Sequence, residues 1–305
     1  MNVRGRAANG LRGAVGPLEA SLRMMAAASG DVAGVLTGGD GTDPFSLRDP
    51  EYIRQTLPAW RIVSRRYFRA EVDGMENIPS SGPVLLVGNH SGGVVIADTF
   101  VFAQAFYDHF GPERVFHQLA HDLVFRAIGP RALVQRYGTV PASPRNMARA
   151  LERDAALLVY PGGDDETFRP SWESDQVDFA GRTGFIKLAL KHGVPIVPVV
   201  AIGGQETALF LGRGRGAAKS LHLDRLLRLK VLPPVIGPPF GITVLDMPFR
   251  FPLPSKISIR VLEPIDLRER IGRGTDVDAG YELVTARMQE TLTELQEQRD
   301  LPIVG

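Results

Sequence analysis

Short, mostly apolar runs separated by segments of helical spacing constrain the fold of this 305-residue chain more than any other feature. The runs lie at Val84–Val87, Val115–Ala120, Leu157–Tyr160, Pro195–Val200 and Ile257–Leu262. Helical patterns at 97–110 and 183–192 separate some of them. Such runs are typical of buried strands, and strands that alternate with helices form mostly parallel sheets. The sequence therefore predicts an α/β fold with a mixed, mostly parallel sheet flanked by helices.

Composition and periodicity divide the chain into three segments. Residues 1–48 are rich in Ala, Gly and Arg, which predicts a flexible or loosely docked arm. Residues 49–277 are predicted to form one domain, which begins with a helix over 49–69 as an N-terminal helical extension. Residues 278–305 contain an amphipathic helix that we expect to pack on that domain.

Composition also excludes several classes of function. The formal net charge is +1, which argues against the concentrated basic surface that nucleic acid binding requires. The sequence has no cysteine, which excludes disulfides, cysteine-based zinc sites and a cysteine nucleophile. The same absence fits a reducing compartment, so we expect a cytoplasmic protein. No run predicts a spanning helix, because prolines and glycines interrupt the longest charge-free stretch, 77–97.

The sequence GNHSGGVVIAD contains the first candidate catalytic residue, His90. A histidine at the end of a buried strand is held rigidly, and an imidazole with a pKa of about 6.5 can accept the proton of an attacking alcohol. Asp98 is the first acid downstream and is predicted to orient the other ring nitrogen. Two other interpretations stay open: a structural Asn89–His90 pair, and Ser91 as a nucleophile, although no G-x-S-x-G elbow surrounds it.

The second candidate motif is LLVYPGGDDETFRP, residues 157–170. A glycine pair after a strand allows backbone N–H groups to approach a polar ligand closely. Asp164, Asp165 and Glu166 could bind a metal ion, but a second set of ligands is missing, so no metal site is predicted. Arg169 either binds an anion or pairs with Glu166 as a surface ion pair of little energetic weight.

Together these motifs resemble the acyltransferase family that includes lysophosphatidic acid acyltransferases, in which Asn-His precedes a spaced Asp and a later strand ends in Pro-Glu-Gly. More specifically, the chain resembles the diacylglycerol and monoacylglycerol acyltransferase-like branch, where that loop reads Pro-Gly-Gly, a short spacer, Glu and often Arg-Pro. Residues 72–93 resemble that branch throughout, with further matches at 138–143 (GTVPAS) and 194–200 (VPIVPVV). The resemblance covers residues 50–265 and implies an acyltransferase-type fold, with an acyltransferase domain over 49–277.

The resemblance also implies an activity: direct transfer of a fatty acyl group from acyl-CoA or an acyl carrier protein to a hydroxyl of a glycerolipid or long-chain alcohol. No cofactor is expected. His90 would be the general base, Asp98 its partner and Glu166 an acceptor-site carboxylate, while N–H groups of the glycine loops would offset developing oxyanion charge. The predicted substrate-binding residues are Asn89, Ser91, Gly92, Gly93, Pro161, Gly162, Gly163, Glu166 and Arg169.

Departures from the family pattern bear on the acceptor. Seven residues, rather than four, separate His90 from Asp98. Residues 142–143 are Ala-Ser where enzymes with phosphate acceptors carry an arginine, and Arg136 and Arg145 lie only nearby. A pocket without a fixed guanidinium favours a neutral acceptor. A lysophosphatidic acid acyltransferase, a serine hydrolase and a non-catalytic lipid-binding protein of the same fold remain alternatives.

Residues 220–245 are the predicted membrane contact. Over 220–230, leucines and arginines occupy opposite helical faces, and the apolar, Pro-rich stretch 231–245 that follows carries no charge. The alternative interpretation is a loop packed in the core. On the first interpretation, we expect the protein to associate peripherally with the inner face of a membrane. The expected partners are an acyl thioester and a lipid acceptor, and no nucleic acid.

Overall fold

The computed structural model describes residues 42–125, 130–223, 230–244, 246, 250–270, 276–299 and 301. Seven strands form the central sheet: β1 (Glu71–Asp73), β2 (Val84–Gly88), β3 (Phe116–Ala120), β4 (Thr139–Pro141), β5 (Ala156–Val159), β6 (Ile196–Ile202) and β10 (Ser258–Val261). A smaller sheet contains β7 (Leu209–Phe210), β8 (Val235–Gly237) and β9 (Gly241–Thr243).

The central sheet has the spatial order β1-β10-β6-β2-β5-β3-β4. Strands β6, β2, β5, β3 and β4 run parallel, whereas β10 is antiparallel to β6 and β1 is parallel to β10. The predicted mixed, mostly parallel sheet is therefore confirmed. Because β2 lies between β5 and β6, the loops that follow these three strands meet at one edge of the sheet, where open α/β sheets bind their ligands.

The helices are α1 (Pro50–Ile62), α2 (Ala97–Phe110), α3 (Pro130–Arg136), α4 (Pro144–Leu151), α5 (Gly163–Thr167), α6 (Gly184–His192), α7 (Arg215–Ser220), α8 (Leu267–Arg270) and α9 (Val277–Glu297). Single 3₁₀ turns lie at Pro44–Leu47, Met75–Asn77, Asp122–Phe125, Ser171–Glu173 and Gln205–Thr207, and a π-helical turn at Val63–Tyr67 extends α1. The side chains of Asp49, Ser143 and Asp276 cap α1, α4 and α9 by accepting first-turn N–H groups. The helices predicted over 49–69, 97–110 and 183–192 are confirmed.

Helices cover both faces of the sheet. Successive side chains of β2 enter different cores: Val84 and Leu86 pack with residues of α1 and α2, whereas Leu85 and Val87 pack with residues of α4, α6 and α9. All four side chains are fully buried. Because neighbouring strand residues point to opposite faces, a strand in this position needs an apolar residue at every step, as the uninterrupted run predicted.

The end of the predicted N-terminal arm, residues 42–48, packs on the domain. Phe45 is buried with its ring centroid 4.9 Å from that of His117. Asp43 pairs with Arg149 at 2.8 Å. These contacts attach the 42–48 segment to the core that contains Leu85 and Val87, which we call the second core.

Three further predictions concern the rest of the chain. Residues 1–41 of the arm and 224–229 of the predicted basic helix lie outside the described residues. The predicted C-terminal helix is α9, whose buried residues join the second core. Within the described ranges, no helix combines the length and the hydropathy that crossing a bilayer demands.

The stretch 231–245 differs from the prediction of a loop. It contains β8 and β9, which pair antiparallel around a turn at 238–240. Each strand has only three residues, and β9 does not alternate between buried and exposed positions, so no period stands out among the prolines. Phe210 and Val235 of the smaller sheet pack against Phe168 in a separate small core.

Candidate active site

Two loops meet at the carboxyl ends of the neighbouring strands β2 and β5. We call residues 89–96 the histidine loop and residues 160–163 the glycine loop. The register Val87↔Val159 aligns the strand ends, and the backbone N–H of His90 donates to Glu166 Oε2 at 3.0 Å. The structure therefore brings the two predicted motifs into contact.

Glu166 and Arg169 hold the main chain of His90 from both sides. Glu166 Oε2 accepts the His90 N–H, while Arg169 Nη2 donates to the His90 carbonyl at 2.9 Å. The two side chains also pair with each other at 3.2 Å, and both are fully buried. A side chain at Gly162 would overlap the Glu166 carboxylate, so glycine is required there. The sequence-based interpretation of Glu166 and Arg169 as a surface ion pair is therefore wrong. Both side chains are buried, and they position His90 rather than face a substrate.

Burial controls the ionisation of Glu166. It raises the pKa of Glu166 to about 7, although the positive charge of Arg169 acts in the opposite direction. Desolvation disfavours a carboxylate, and the adjacent guanidinium limits that effect. Glu166 therefore changes its protonation state near neutral pH while its contact with the His90 N–H remains available.

The imidazole of His90 is pinned against an aromatic ring. It stacks on Tyr160, with centroids 4.2 Å apart and an interplanar angle of 17°. Its Nδ1 is buried without a hydrogen-bond partner among the described residues, although the residue as a whole is partly exposed. A Cβ at Gly88 would lie 2.5 Å from Tyr160, so the glycine at the end of β2 admits this ring. Burial lowers the pKa of His90 to about 3, and the charge of Arg169 adds to the effect.

The predicted contact between Asp98 and His90 is absent, and that prediction is wrong. Its carboxylate accepts from the Ser91 hydroxyl at 2.9 Å and from the Thr99 N–H at 2.7 Å. The Thr99 hydroxyl in turn donates to the Tyr160 hydroxyl at 2.8 Å. Asp98 lies in the first turn of α2, because the long spacing from the histidine carries it past the loop. Burial raises its pKa to about 6.

The same contact bears on the predicted nucleophile. Ser91 is buried, and its hydroxyl donates to a carboxylate rather than to an imidazole. A catalytic serine needs a base that can take its proton at neutral pH, usually a histidine. The structure therefore offers no activated serine at this position, and Ser91 belongs to the packing of the loop.

Several predicted substrate-binding groups of the histidine loop bond to the protein itself. The amide of Asn89 donates to and accepts from the backbone of Ala201 on β6, both at 2.8 Å. The N–H of Gly92 donates to Gln205 at 3.0 Å, and its carbonyl accepts from Arg250 at 3.0 Å. Asn89 and Gly92 thus fasten the loop to the elements beneath it, which corrects their predicted role.

Gly93 and Val94 complete this pattern. The N–H of Gly93 donates to the carbonyl of Thr167 at 3.1 Å, and the N–H of Val94 donates to Asp246 at 2.6 Å. A side chain at Gly93 would overlap Asp246. Because these N–H groups already have partners, the oxyanion role predicted for the glycines of this loop is not supported here.

The glycine loop is held by one arginine. Arg182 donates to the carbonyls of Pro161 and Gly162, and Gly163 adopts a φ of +54° that favours glycine. The N–H of Gly163 donates to the Tyr160 carbonyl at 3.2 Å. Pro161, Gly162 and Gly163 thus form a tight turn that brings α5 and its acids back toward β2.

The acids of α5 face arginines. Asp165 pairs with Arg182 and Arg215, each at 2.9 Å, and Asp164 lies 3.5 Å from Arg182. Within the part of the chain that the structure describes, no three His, Asp or Glu side chains gather as a metal site would require. The carboxylates considered as metal ligands are engaged by guanidinium groups instead.

Sequence reasoning missed five residues that build the site: Tyr160, Thr99, Gln205, Asp246 and Arg250. A signal for Gln205 existed, since it follows the Gly203-Gly204 pair after β6, which borders β2 at the same edge of the sheet. Asp246 and Arg250 form a buried pair at 2.7 Å. They lie far along the chain from the histidine loop, and no local pattern in the sequence connects them to it.

Comparison with known proteins identifies the class that this fold and site define. The family model described as Acyltransferase matches residues 69–202. An uncharacterized protein of Mycobacterium tuberculosis is 30% identical over 279 residues, which span 90% of this chain and 73% of the relative. The chain belongs to the acyltransferase family.

Two relatives with descriptive names match a part of the chain. Phytyl ester synthase 2 of Arabidopsis thaliana is 31% identical over 145 residues, 44% of this chain and 20% of that protein. The DGAT1/2-independent enzyme synthesizing storage lipids of Bos taurus is 29% identical over 145 residues, 48% of this chain and 42% of that protein. Both matches cover less than half of each protein.

A solved structure shares the fold along nearly the whole chain. It is the 1-acyl-sn-glycerophosphate (LPA) acyltransferase PlsC from Thermotoga maritima, with a TM-score of 0.53 and 18% identity. The match covers 96% of this chain and 99% of that chain. The acyltransferase-type fold predicted from the sequence is thereby confirmed.

Proposed function

We propose that this protein transfers a fatty acyl group from a thioester, acyl-CoA or acyl carrier protein, to the hydroxyl of a neutral glycerolipid or a long-chain alcohol. The observation that carries the proposal is the arrangement around His90. The ring of this partly exposed residue is stacked on Tyr160, while Glu166 and Arg169 fix its main chain. Rigid placement of a base is what general-base catalysis requires.

His90 would take the proton of the acceptor hydroxyl as the oxygen attacks the thioester carbonyl. The new C–O bond forms a tetrahedral intermediate, its collapse breaks the C–S bond, and the proton passes from His90 to the leaving thiolate. Since Nδ1 is buried, Nε2 is the nitrogen that would face the substrates. Direct transfer fits a chain without cysteine.

The pKa of the ring acts on the first step in two opposed ways. Because burial lowers the pKa of His90 to about 3, the imidazole is neutral throughout the physiological range and can accept a hydrogen bond from the acceptor hydroxyl, but it is a weaker base than a free imidazole. The same burial disfavours the imidazolium that forms. Negative charge developing on the bound substrates would stabilise that cation in the transition state.

The arginines near the site favour a neutral acceptor. Arg169, Arg182 and Arg250, which contact the two loops, all bind protein carbonyls or carboxylates. Of the two arginines that flank the second-motif position, Arg136 lies over the ring of Tyr52 at 4.7 Å, and Arg145 is exposed in the first turn of α4. A phosphate monoester needs a guanidinium that is free to bind it. The names of the two relatives, which refer to phytyl esters and storage lipids, point in the same direction.

The place of action follows from the substrates. Thioester donors are water-soluble and lipid acceptors lie in membranes, so we propose a cytoplasmic protein that works peripherally at the inner face of the membrane.

The test is a transfer assay with radiolabelled acyl-CoA or acyl carrier protein and a panel of acceptors. The panel contains monoacylglycerol, diacylglycerol, a long-chain alcohol and lysophosphatidate. We expect turnover with a neutral acceptor and a loss of about 10²-fold or more in His90→Ala. His109→Ala changes an exposed histidine at the end of α2 and is the matched control, which should keep wild-type turnover.

Each outcome is informative. If His90→Ala keeps turnover within about tenfold of wild type, the assignment of His90 as the base is refuted, since general-base catalysis contributes more than that. Preference for lysophosphatidate would replace the neutral acceptor with a phosphorylated one. Failure of the wild type with every acceptor and both donors would leave a lipid-binding protein of this fold.

A further inference from the structure

Both faces of the smaller sheet β7–β8–β9 are apolar, which is unusual for a sheet with one face buried. Phe210 and Val235 are paired in register and fully buried. On the opposite face Leu209 pairs with Ile236, and Ile236 pairs with Ile242. An antiparallel sheet with one buried face normally carries polar residues on the other. Here the outer face is apolar as well.

This outer face extends along and beyond the strands. We define the apolar face as Leu209, Leu211, Phe240, Ile242, Val244 and Phe251, all of which are exposed. The exposed fraction reaches 75% for Ile242, 71% for Val244 and 65% for Phe251. Single exposed apolar residues are ordinary, but a group of them on neighbouring strands marks an interaction surface.

Two lysines, which we call the basic border, lie on the segment between two strands of the apolar face. Lys219 and Lys230 are exposed on the segment that links β7 to β8. The arginines described on this segment are neutralised, since Arg213 pairs with Glu173 and Arg215 with Asp165. Lys219 and Lys230 are therefore the exposed cations without an ion pair among the described residues of the segment. Asp246, just beyond β9, is buried in its pair with Arg250 and contributes no exposed negative charge. The border therefore favours an anionic partner.

The apolar face is continuous with the candidate active site. Asp246, two residues beyond Val244, accepts the N–H of Val94 in the histidine loop. Arg250, next to Phe251, donates to the carbonyl of Gly92. A surface that contacts the apolar face therefore lies beside the loop that carries the proposed base.

We propose that the apolar face docks the protein on the surface of an anionic lipid bilayer, with its apolar side chains in the interface and its basic border at the lipid headgroups. This inference rests on the proposed function, because a lipid acceptor is taken from such a surface. Burial of apolar side chains and attraction to anionic lipid add in interfacial binding. A second copy fits less well, since a twofold contact would bring the basic borders of both copies together.

The test measures binding of the full chain to vesicles of phosphatidylcholine with and without phosphatidylglycerol. Ile242→Glu adds a charge to the apolar face, and Ile242→Ser with Val244→Ser removes apolar surface without adding charge. Gln55→Glu, on the exposed side of α1, is the matched charge control. We expect tighter binding to the anionic vesicles, a loss of about tenfold or more in both face variants, and a change under about twofold in the control.

The outcomes separate docking from catalysis. Transfer to a water-soluble short-chain alcohol should be equal in wild type and Ile242→Glu, whereas transfer to a vesicle-borne acceptor should fall in the variant. Face variants that bind vesicles like the wild type would overturn the proposal. A wild type that ignores vesicles but forms a dimer, which Ile242→Glu dissociates, would also overturn it and assign the face to a second copy. Wild-type binding without any transfer would instead refute the proposed function and leave docking intact.

Discussion

The histidine loop lies between two buried carboxylates that differ in their surroundings. Glu166 pairs with Arg169 and accepts the His90 N–H. Asp98 is buried to a similar degree, but its partners are the Ser91 hydroxyl and the backbone N–H of Thr99. One carboxylate has a cation beside it and grips the main chain of the histidine, whereas the other has neutral partners only.

The two carboxylates hold the same loop, but the free-energy cost of ionising them is offset in different ways. Burial raises the pKa of both carboxylates, to about 7 for Glu166 and about 6 for Asp98. An ionised Glu166 still has Arg169 to compensate it. An ionised Asp98 depends on hydrogen bonds alone. Mutation of Arg169 and titration of Asp98 should therefore distinguish what each carboxylate contributes to the stability of the fold.

The largest effect is expected from Arg169→Met. The change leaves Glu166 buried without a counter-ion and frees the His90 carbonyl, so unfolding free energy should fall by about 3–5 kcal/mol at pH 8. The loss should be smaller at pH 5.5, because Glu166 can then take up a proton. Urea denaturation at both pH values measures this. Arg287→Met, which breaks an exposed pair with Glu290, is the control and should cost under about 1 kcal/mol.

A loss of the same small size in Arg169→Met and in the control would contradict the inferred role of the buried pair. It would mean that the side of the loop with the cation is held by packing alone.

The next effect concerns Asp98→Asn. Burial raises the pKa of Asp98 from 3.8 to about 6, so the folded protein binds this proton more tightly than the unfolded chain. That contribution to stability is complete below pH 3.8 and is lost as the pH rises through 6. Asparagine does not titrate. Its stability relative to wild type should therefore rise by about 3 kcal/mol between pH 3.5 and 7.5.

Urea denaturation across that range measures the difference between the two proteins. A difference that stays constant with pH would show that Asp98 ionises as freely in the fold as in the unfolded chain.

The smallest effect is expected from Tyr160→Phe. This variant keeps the ring that stacks on His90 but removes the acceptor of the Thr99 hydroxyl. We expect a loss of about 1 kcal/mol in stability and little change in kcat. Thermal unfolding and the transfer assay measure the two quantities. A large fall in kcat with unchanged KM would show instead that the chain from Asp98 through Thr99 to Tyr160 positions the base.

Short-range patterns were enough to predict the strands that place the site. The apolar runs at 84–87, 157–160 and 195–200 correspond to β2, β5 and β6, because strands covered on both faces are mostly apolar. By contrast, β4 and β7 span only a few residues, too few to show a period. Their positions depend on pairing with distant strands, which no local pattern encodes.

The site was partly predictable for a similar reason. Loops that follow neighbouring parallel strands must meet, and this places His90 beside Glu166. The spacing to Asp98 could not reveal whether its carboxylate would turn toward His90 or toward Ser91, since both lie in the same loop. Asp246 reaches the loop from a segment 152 positions away, and only the folded chain brings them together.

The grip on residue 90 uses only its backbone, through the N–H and the carbonyl, and so does not depend on which side chain stands there. The backbone of residue 90 thus holds the loop, while the reaction proposed for it uses the side chain alone. Replacement of the imidazole would leave the loop in place and empty a space beside Tyr160. The position is consequently open to redesign, because a new functional group installed there would inherit a scaffold that is already assembled.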